Sequence, residues 1–271
     1  MWVKTLYHSF KRNGWRQLFF YLSNLDIWRF MEYDKVYHYM SDLKKGGRIV
    51  DLGSGYSVFP AFFRGMQYTT VDLSEAACKY QRSFGIDAVQ ADMTQLPFAS
   101  GSVAVVVAIS SVEHVPDDKK VFHEISRVLE NDGVAFLAIP YSDEKTIIKS
   151  MKKPKWQMDM LNRHKKLWRI LMGEVHLKYF LEQIETDSIM RCYSLPDLRE
   201  LTEQNGLTIA QHEFIGGRKL VCGAFRFLPF GWFVLKDLLI GWPLYQIEQL
   251  VYKKASHTGE ILLKIQRKRP A

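Results

Sequence analysis

Four short stretches carry the residue types that would grip a small polar ligand and act on it: Asp51-Leu52-Gly53-Ser54-Gly55, Asp72-Leu73, Asp92-Met93 and Ser110-Ser111-Val112-Glu113-His114. The first follows Ile49-Val50, so a buried β-branched run ends in an acid and a Gly-x-Gly turn. A parallel strand ends this way when its carboxyl edge meets a ligand, and glycine is needed where a Cβ would clash with the tight turn or the ligand. Asp72 falls about 20 residues farther on, where a carboxylate at the tip of a second strand can accept both hydroxyls of a ribose. A dinucleotide fingerprint, G-x-G-x-x-G, would need a third glycine at position 58, where Val58 stands. A lone Gly-x-Gly is a weak signal, and the reading depends on the elements that follow it.

Those elements alternate. A helix is expected from about Val58 to Gly65, a second strand over Tyr68–Val71, and a helix from Glu75 to about Phe84 capped by Ser74. A short third strand covers Ala88–Gln90. Ser102–Ile109 is an almost unbroken apolar run, as in a central parallel strand buried on both faces. A helix through Phe122–Leu129 leads to the turn Glu130-Asn131-Asp132-Gly133 and a fifth strand, Val134–Ile139. Ser194 caps a helix stopped by Asn205-Gly206, Thr208–Phe214 is a sixth strand, and Glu260–Ile265 is the last. The last two strands are expected to form an antiparallel edge.

From 46 to 140 this order resembles the class I S-adenosylmethionine-dependent methyltransferases, specifically the type 11 family. The resemblance rests on the Val-Asp-Leu-Gly-Ser-Gly turn, Asp72, Asp92-Met93, Leu96-Pro97-Phe98 and Ser111-x-Glu113-His114 in sequence. It departs at Ala104, where the family usually has an acid, and at Asn131-Asp132-Gly133, where it usually has Lys-Pro-Gly-Gly. The implied fold is α/β, a Rossmann-like seven-stranded, mostly parallel sheet with an antiparallel last strand and helical insertions. The implied cofactor is S-adenosyl-L-methionine, held by Asp51, Gly53, Ser54, Gly55, Asp72, Leu73, Asp92, Met93 and Ser110. Within that set Asp92 would bond the exocyclic amine of adenine and Met93 would pack on its ring. His114, at the carboxyl edge of the fourth strand, is the candidate general base, with Glu113 to orient it. His123 and Glu124 read as structural, and His164 and His176 as weaker candidates on the acceptor side. No metal constellation appears. The Asn/Asp-Pro-Pro-Tyr/Phe run of amino-methylating enzymes is absent after the fourth strand.

The flanks differ in character. Residues 1–45 read as an aromatic helical arm and 46–271 as the methyltransferase domain, with insertions at about 141–190 and 220–252 forming a cap. All seven tryptophans (2, 15, 28, 156, 168, 232 and 242) lie in the arm or the insertions. Residues 141–180 hold ten Lys or Arg against four Asp or Glu, and the whole chain carries a net charge of +8. That favours an anionic partner: a membrane surface, a phosphorylated substrate or a nucleic acid. The second insertion is apolar but is divided by Arg226, Lys236, Asp237 and Pro243 into runs too short to span a bilayer. Three well-separated cysteines suggest a reducing compartment, and the N-terminus does not read as a signal peptide. The combined expectation is a cytoplasmic enzyme, with peripheral membrane contact, that methylates a small or lipid-linked apolar acceptor, O-methylation first. The alternatives are an RNA methyltransferase and a non-catalytic scaffold.

Overall fold

The protein is described from a computed structural model covering residues 27–41, 46–57, 59–63, 66–143, 146–149, 159, 163–166, 189–216 and 259–268. Expectations for the first 26 residues, most of the first insertion, His176 and all of the second insertion lie outside the described residues.

Seven strands form one sheet: β1 (Arg48–Leu52), β2 (Gln67–Asp72), β3 (Asp87–Gln90), β4 (Val103–Ile109), β5 (Leu129–Tyr141), β8 (Leu207–Gly216) and β9 (Gly259–Arg267). Their spatial order is β3-β2-β1-β4-β5-β9-β8. The first five are mutually parallel. β9 runs antiparallel to both β5 and β8, so β9 alone is reversed and β8 shares the direction of the others. The order reverses between β1 and β4, which opens a crevice beyond the carboxyl ends of these strands.

Alternation along β4 separates two cores. Val105, Val107 and Ile109 join Tyr33, Val36, Met40, Phe59, Phe63 and Tyr80 on one face. Val106 and Ala108 join Val121, Phe122, Ile125, Leu198 and Leu201 on the other. The first face is covered by α1 (Ile27–Ser41) and α2 (Glu75–Ser83), the second by α3 (Asp118–Val128) and α4 (Leu195–Gln204). Tyr33 stacks on Phe59 at 5.0 Å and Tyr39 on Phe136 at 6.0 Å. Lys35 pairs with Glu213, which also accepts the Tyr39 hydroxyl, fastening α1 to β8. Ser74 caps α2, and Ser194 forms a capping box with Asp197 at the start of α4.

Two local expectations are corrected. The segment after the glycine turn is a short 3-10 helix, Phe59–Phe63, in place of a full helix from Val58 to Gly65. Ser57 Oγ accepts the Phe59 N–H, and Pro60 follows without an N–H of its own to extend an α-helical ladder. β5 begins at Leu129 instead of Val134: Val103 pairs with Leu129 and Val105 with Val134, so residues 130–133 are an irregularity inside the strand. The two ends of the first insertion, beyond the helix expected for it, pair as an antiparallel ribbon of β6 (Thr146–Lys149) and β7 (Ile189–Cys192).

One polar clamp secures the loop between β3 and β4. Glu124 accepts the Leu96 N–H at 2.6 Å, while Arg127 donates to Glu124 and to the carbonyls of Leu96 and Phe98. The Arg127 guanidinium beside Glu124 holds the carboxyl below its ordinary range. Replacing Arg127 with Ala strands a mostly buried carboxylate. It should lower the unfolding free energy by about 2 kcal/mol in a urea titration.

Candidate functional site

The site is built where β1, β2, β3 and β4 end. Gly53 and Gly55 adopt φ of +67° and +53°, a left-handed region costly for residues with a side chain. A Cβ on Gly53 would lie 2.6 Å from Ser111 Cβ and 3.1 Å from Met93 Cε, so the turn also brings two neighbouring strand ends against it. Its backbone is held on every side. Gly53 N–H donates to the Val71 carbonyl at 2.7 Å, and Ser111 Oγ donates to the Leu52 carbonyl at 2.8 Å. Gln81 Nε2, from the inward face of α2, donates to the carbonyls of Gly55 and Ser57.

Asp72 closes the arrangement. Its Oδ2 accepts the Gly55 N–H and its Oδ1 the Ser74 N–H, both at 2.8 Å. Burial raises its pKa, opposed by these two donors. Each carboxylate oxygen has a second lone pair, so Asp72 can hold the glycine turn and still accept a ligand's hydroxyls. Leu73, next to it, is 68% exposed, an apolar side chain standing in the open at the strand tip. Asp92 lies one strand over, at the same edge: Asp72 pairs in register with Gln90, and Ala91 N–H donates to the Asp72 carbonyl. Asp92 is exposed and accepts the Thr94 N–H, while Met93 packs partly buried beside Gly53.

Two hydroxyls at the crevice make no hydrogen bond among the described residues. Ser54 Oγ, in the glycine turn, and Ser110 Oγ, at the end of β4, are both buried and lack a partner. Ser110 is also the single non-glycine residue among those described with a positive φ, +47°. An unsatisfied buried hydroxyl costs about 1–3 kcal/mol. Strain and orphaned polarity of this kind collect at sites where a ligand completes the structure.

Asp51 sits deeper, only 3% exposed, and accepts the Tyr68 hydroxyl at 2.9 Å. Burial pushes its carboxyl up to about 7; the Tyr68 bond works against this and the Asp72 charge adds to it. After β4, the 3-10 turn Val112–His114 places Glu113 in the interior, 2% exposed, and His114 toward solvent. His114 Nε2 is 3.8 Å from Glu113 Oε1, an ion-pair separation when the imidazole is protonated. Glu124 has the structural role expected of it, and His164 is exposed. Among the described residues no cluster of His, Cys, Asp and Glu could hold a metal ion, and no helix is long and apolar enough to cross a membrane.

The contacts of Gln81, Tyr68 and Ser111 were not foreseen in the sequence, where Ser111 stood only as part of a motif. Gln81 did leave a signal: it shares the helical stripe of Ala77 and Phe84, where a glutamine needs a buried partner.

Residues 50–137, which contain the whole of this strand-end cluster, match the family described as "Methyltransferase domain". This stretch is similar to the methyltransferase domain family, and the match takes in residues 50–137 alone. The chain is 40% identical over 98 residues to a protein of Mycobacterium sp. (strain KMS) named "Uncharacterized methyltransferase". That match takes in 34% of this chain and 39% of the relative, so the chain spans about two fifths of the length of the curated relatives it matches. Solved structures share the fold over most of the chain. The 1,6-didemethyltoxoflavin-N1-methyltransferase of Burkholderia thailandensis, with 1,6-didemethyltoxoflavin and S-adenosylhomocysteine bound, superposes with a TM-score of 0.53 at 12% identity, over 90% of this chain and 80% of that one. The geranyl diphosphate C-methyltransferase of Streptomyces coelicolor A3(2) gives 0.52 at 15% identity, over 88% and 77%.

The raised carboxyl of Asp51 has a pH signature. Its folded pKa stands above the unfolded value of 3.8, so folding takes up a proton and stability falls as pH rises from about 4 through about 7. Between about pH 5 and about pH 8 the wild type should lose about 2 kcal/mol that Asp51→Asn retains, as read from denaturation midpoints at both values.

Proposed function

We propose that this protein transfers a methyl group from S-adenosylmethionine to a small or lipid-linked apolar acceptor, at an oxygen. The observation that carries the reading is Asp72 and Asp92 side by side at adjacent strand tips, flanking a backbone turn that excludes any side chain. The donor set suits an adenosine: a carboxylate for ribose hydroxyls in Asp72, apolar surfaces for the base in Leu73 and Met93, and an acceptor for its amine in Asp92. Ser54 and Ser110 supply hydroxyls that lack partners among the described residues. Asp51 lies beneath the turn, where a nearby cation would favour its ionised form. When bound, the cofactor supplies an electrophilic methyl group on a sulfonium. The chain's part is to hold an acceptor in line with that methyl and to take the proton its hydroxyl loses. His114 is the base in this reading, with Glu113 stabilising the imidazolium.

The acceptor class is supported by composition and by analogy. The tryptophans all lie outside residues 46–140, in the segments expected to border the acceptor. Two proteins that share the fold act on small molecules by their names, toxoflavin precursor and geranyl diphosphate. The basic stretch at 141–180, with Trp156 and Trp168, supports peripheral contact with an anionic membrane from the cytoplasmic side.

Titration calorimetry with S-adenosylhomocysteine tests the cofactor. The wild type should bind, and Asp72→Ala should weaken binding by about 1–3 kcal/mol; no binding by the wild type would leave only a scaffold. A methyl-transfer screen across apolar hydroxylated acceptors and RNA, run beside liposome flotation, tests the acceptor. Activity on RNA alone with no lipid association would overturn the assignment. On the acceptor found, His114→Asn should reduce kcat by about two to four orders of magnitude.

A further inference from the structure

The turn that carries His114 is tied to a distant part of the chain by one guanidinium. Its own backbone bonds are local and long: His114 N–H to the Ser111 carbonyl at 3.2 Å, and Val115 N–H to the Val112 carbonyl at 3.1 Å. The next two carbonyls, of Val115 and Pro116, are taken by Arg191. Its Nη1 donates to Val115 and its Nη2 to Pro116 at 2.6 Å. Arg191 Nε lies 3.8 Å from Asp118 Oδ2, which also accepts the Tyr193 hydroxyl at 3.0 Å. The two charged side chains are 11% and 13% exposed, so the pair is largely withdrawn from water.

Arg191 belongs to β7, the returning strand of the ribbon at the base of the first insertion. The end of that strand is in turn stitched to the carboxyl end of β5. Tyr193 N–H donates to the Pro140 carbonyl, Ser142 N–H to the Tyr193 carbonyl, and Tyr141 bridges Tyr193 in parallel. The guanidinium therefore joins three pieces that meet beside the crevice: the end of the sheet, the base of the insertion and the turn after β4. Lysine would replace it only in part, since an ammonium lacks the planar fork that reaches two carbonyls while facing a carboxylate. Burying a guanidinium is costly, and the fold could have closed this corner with apolar side chains at similar stability.

We propose that Arg191 is a positioning residue for methyl transfer, setting the place of Glu113 and His114 through the carbonyls of Val115 and Pro116. The role of those two residues rests on the methyltransferase reading above. The contact itself does not involve the adenosine-binding edge, which is built from the ends of β1, β2 and β3.

Two readouts on the full chain need no acceptor. The first is the His114 imidazole titration by 1H–15N NMR, assigned with His114→Gln. The second is calorimetry with S-adenosylhomocysteine. In Arg191→Ala the His114 titration should move by more than about 0.3 pH unit. The His114 and Val115 amides should exchange about tenfold faster while those of β4 and β5 keep their protection. Affinity for S-adenosylhomocysteine should stay within about twofold, and Arg191→Lys should recover part of the titration shift. If Arg191→Ala does not fold, Arg191→Lys and Tyr193→Phe carry the test, with smaller shifts in the same direction. A His114 titration and amide exchange unchanged from the wild type in a folded variant would overturn the proposal. Failure of the wild type to bind S-adenosylhomocysteine would instead remove the methyltransferase reading and leave the tie between Arg191 and the turn intact.

Discussion

Everything at the carboxyl edge of this sheet depends on one hydrogen bond, from Gly55 N–H to the Asp72 carboxylate. Two left-handed residues in three would let the chain wander unless something fixed them, and glycine supplies no side chain to do it. The fixing comes from outside the turn. Asp72 holds it from the neighbouring strand, Gln81 from the helix beneath and Ser111 from the end of β4. Around the turn stand an exposed leucine, a methionine and two hydroxyls without hydrogen-bond partners among the described residues.

The same economy governs the acids. Asp72 serves the protein with one set of lone pairs and has another to offer, so holding the turn leaves it able to accept further hydrogen bonds. Asp51 is different: it lies under the turn, paired with a tyrosine whose own ionisation burial suppresses, and its charge is costly until a cation is near. The acids in this crevice thus span a range of burial, from exposed Asp92 to enclosed Asp51, and the range follows their depth below the strand tips. Fold alone does not name the reaction, because unrelated chemistries share this sheet.

On the other side of the crevice, the turn carrying His114 is secured by contacts remote in sequence. Asp118, Arg191 and Tyr193 form a small polar cluster that joins the insertion to the sheet. Such a cluster ties the base of the insertion to the turn after β4.

The sequence by itself determined the order of strands and helices, the caps at Ser74 and Ser194, and the acids and glycines at strand ends. Each of these is a local fact: a buried run, a cap or a turn is decided by residues within a few positions of one another. Only the tertiary structure decided that Tyr68 would face Asp51, that Gln81 would reach beneath the glycine turn, and that Ser110 would be strained with its hydroxyl unpaired. It also decided the ribbon at the base of the first insertion and the contact of Arg191 with Val115 across 76 residues. Those choices follow from which backbone groups remain unsatisfied once the sheet has assembled, and that depends on neighbours in space rather than along the chain.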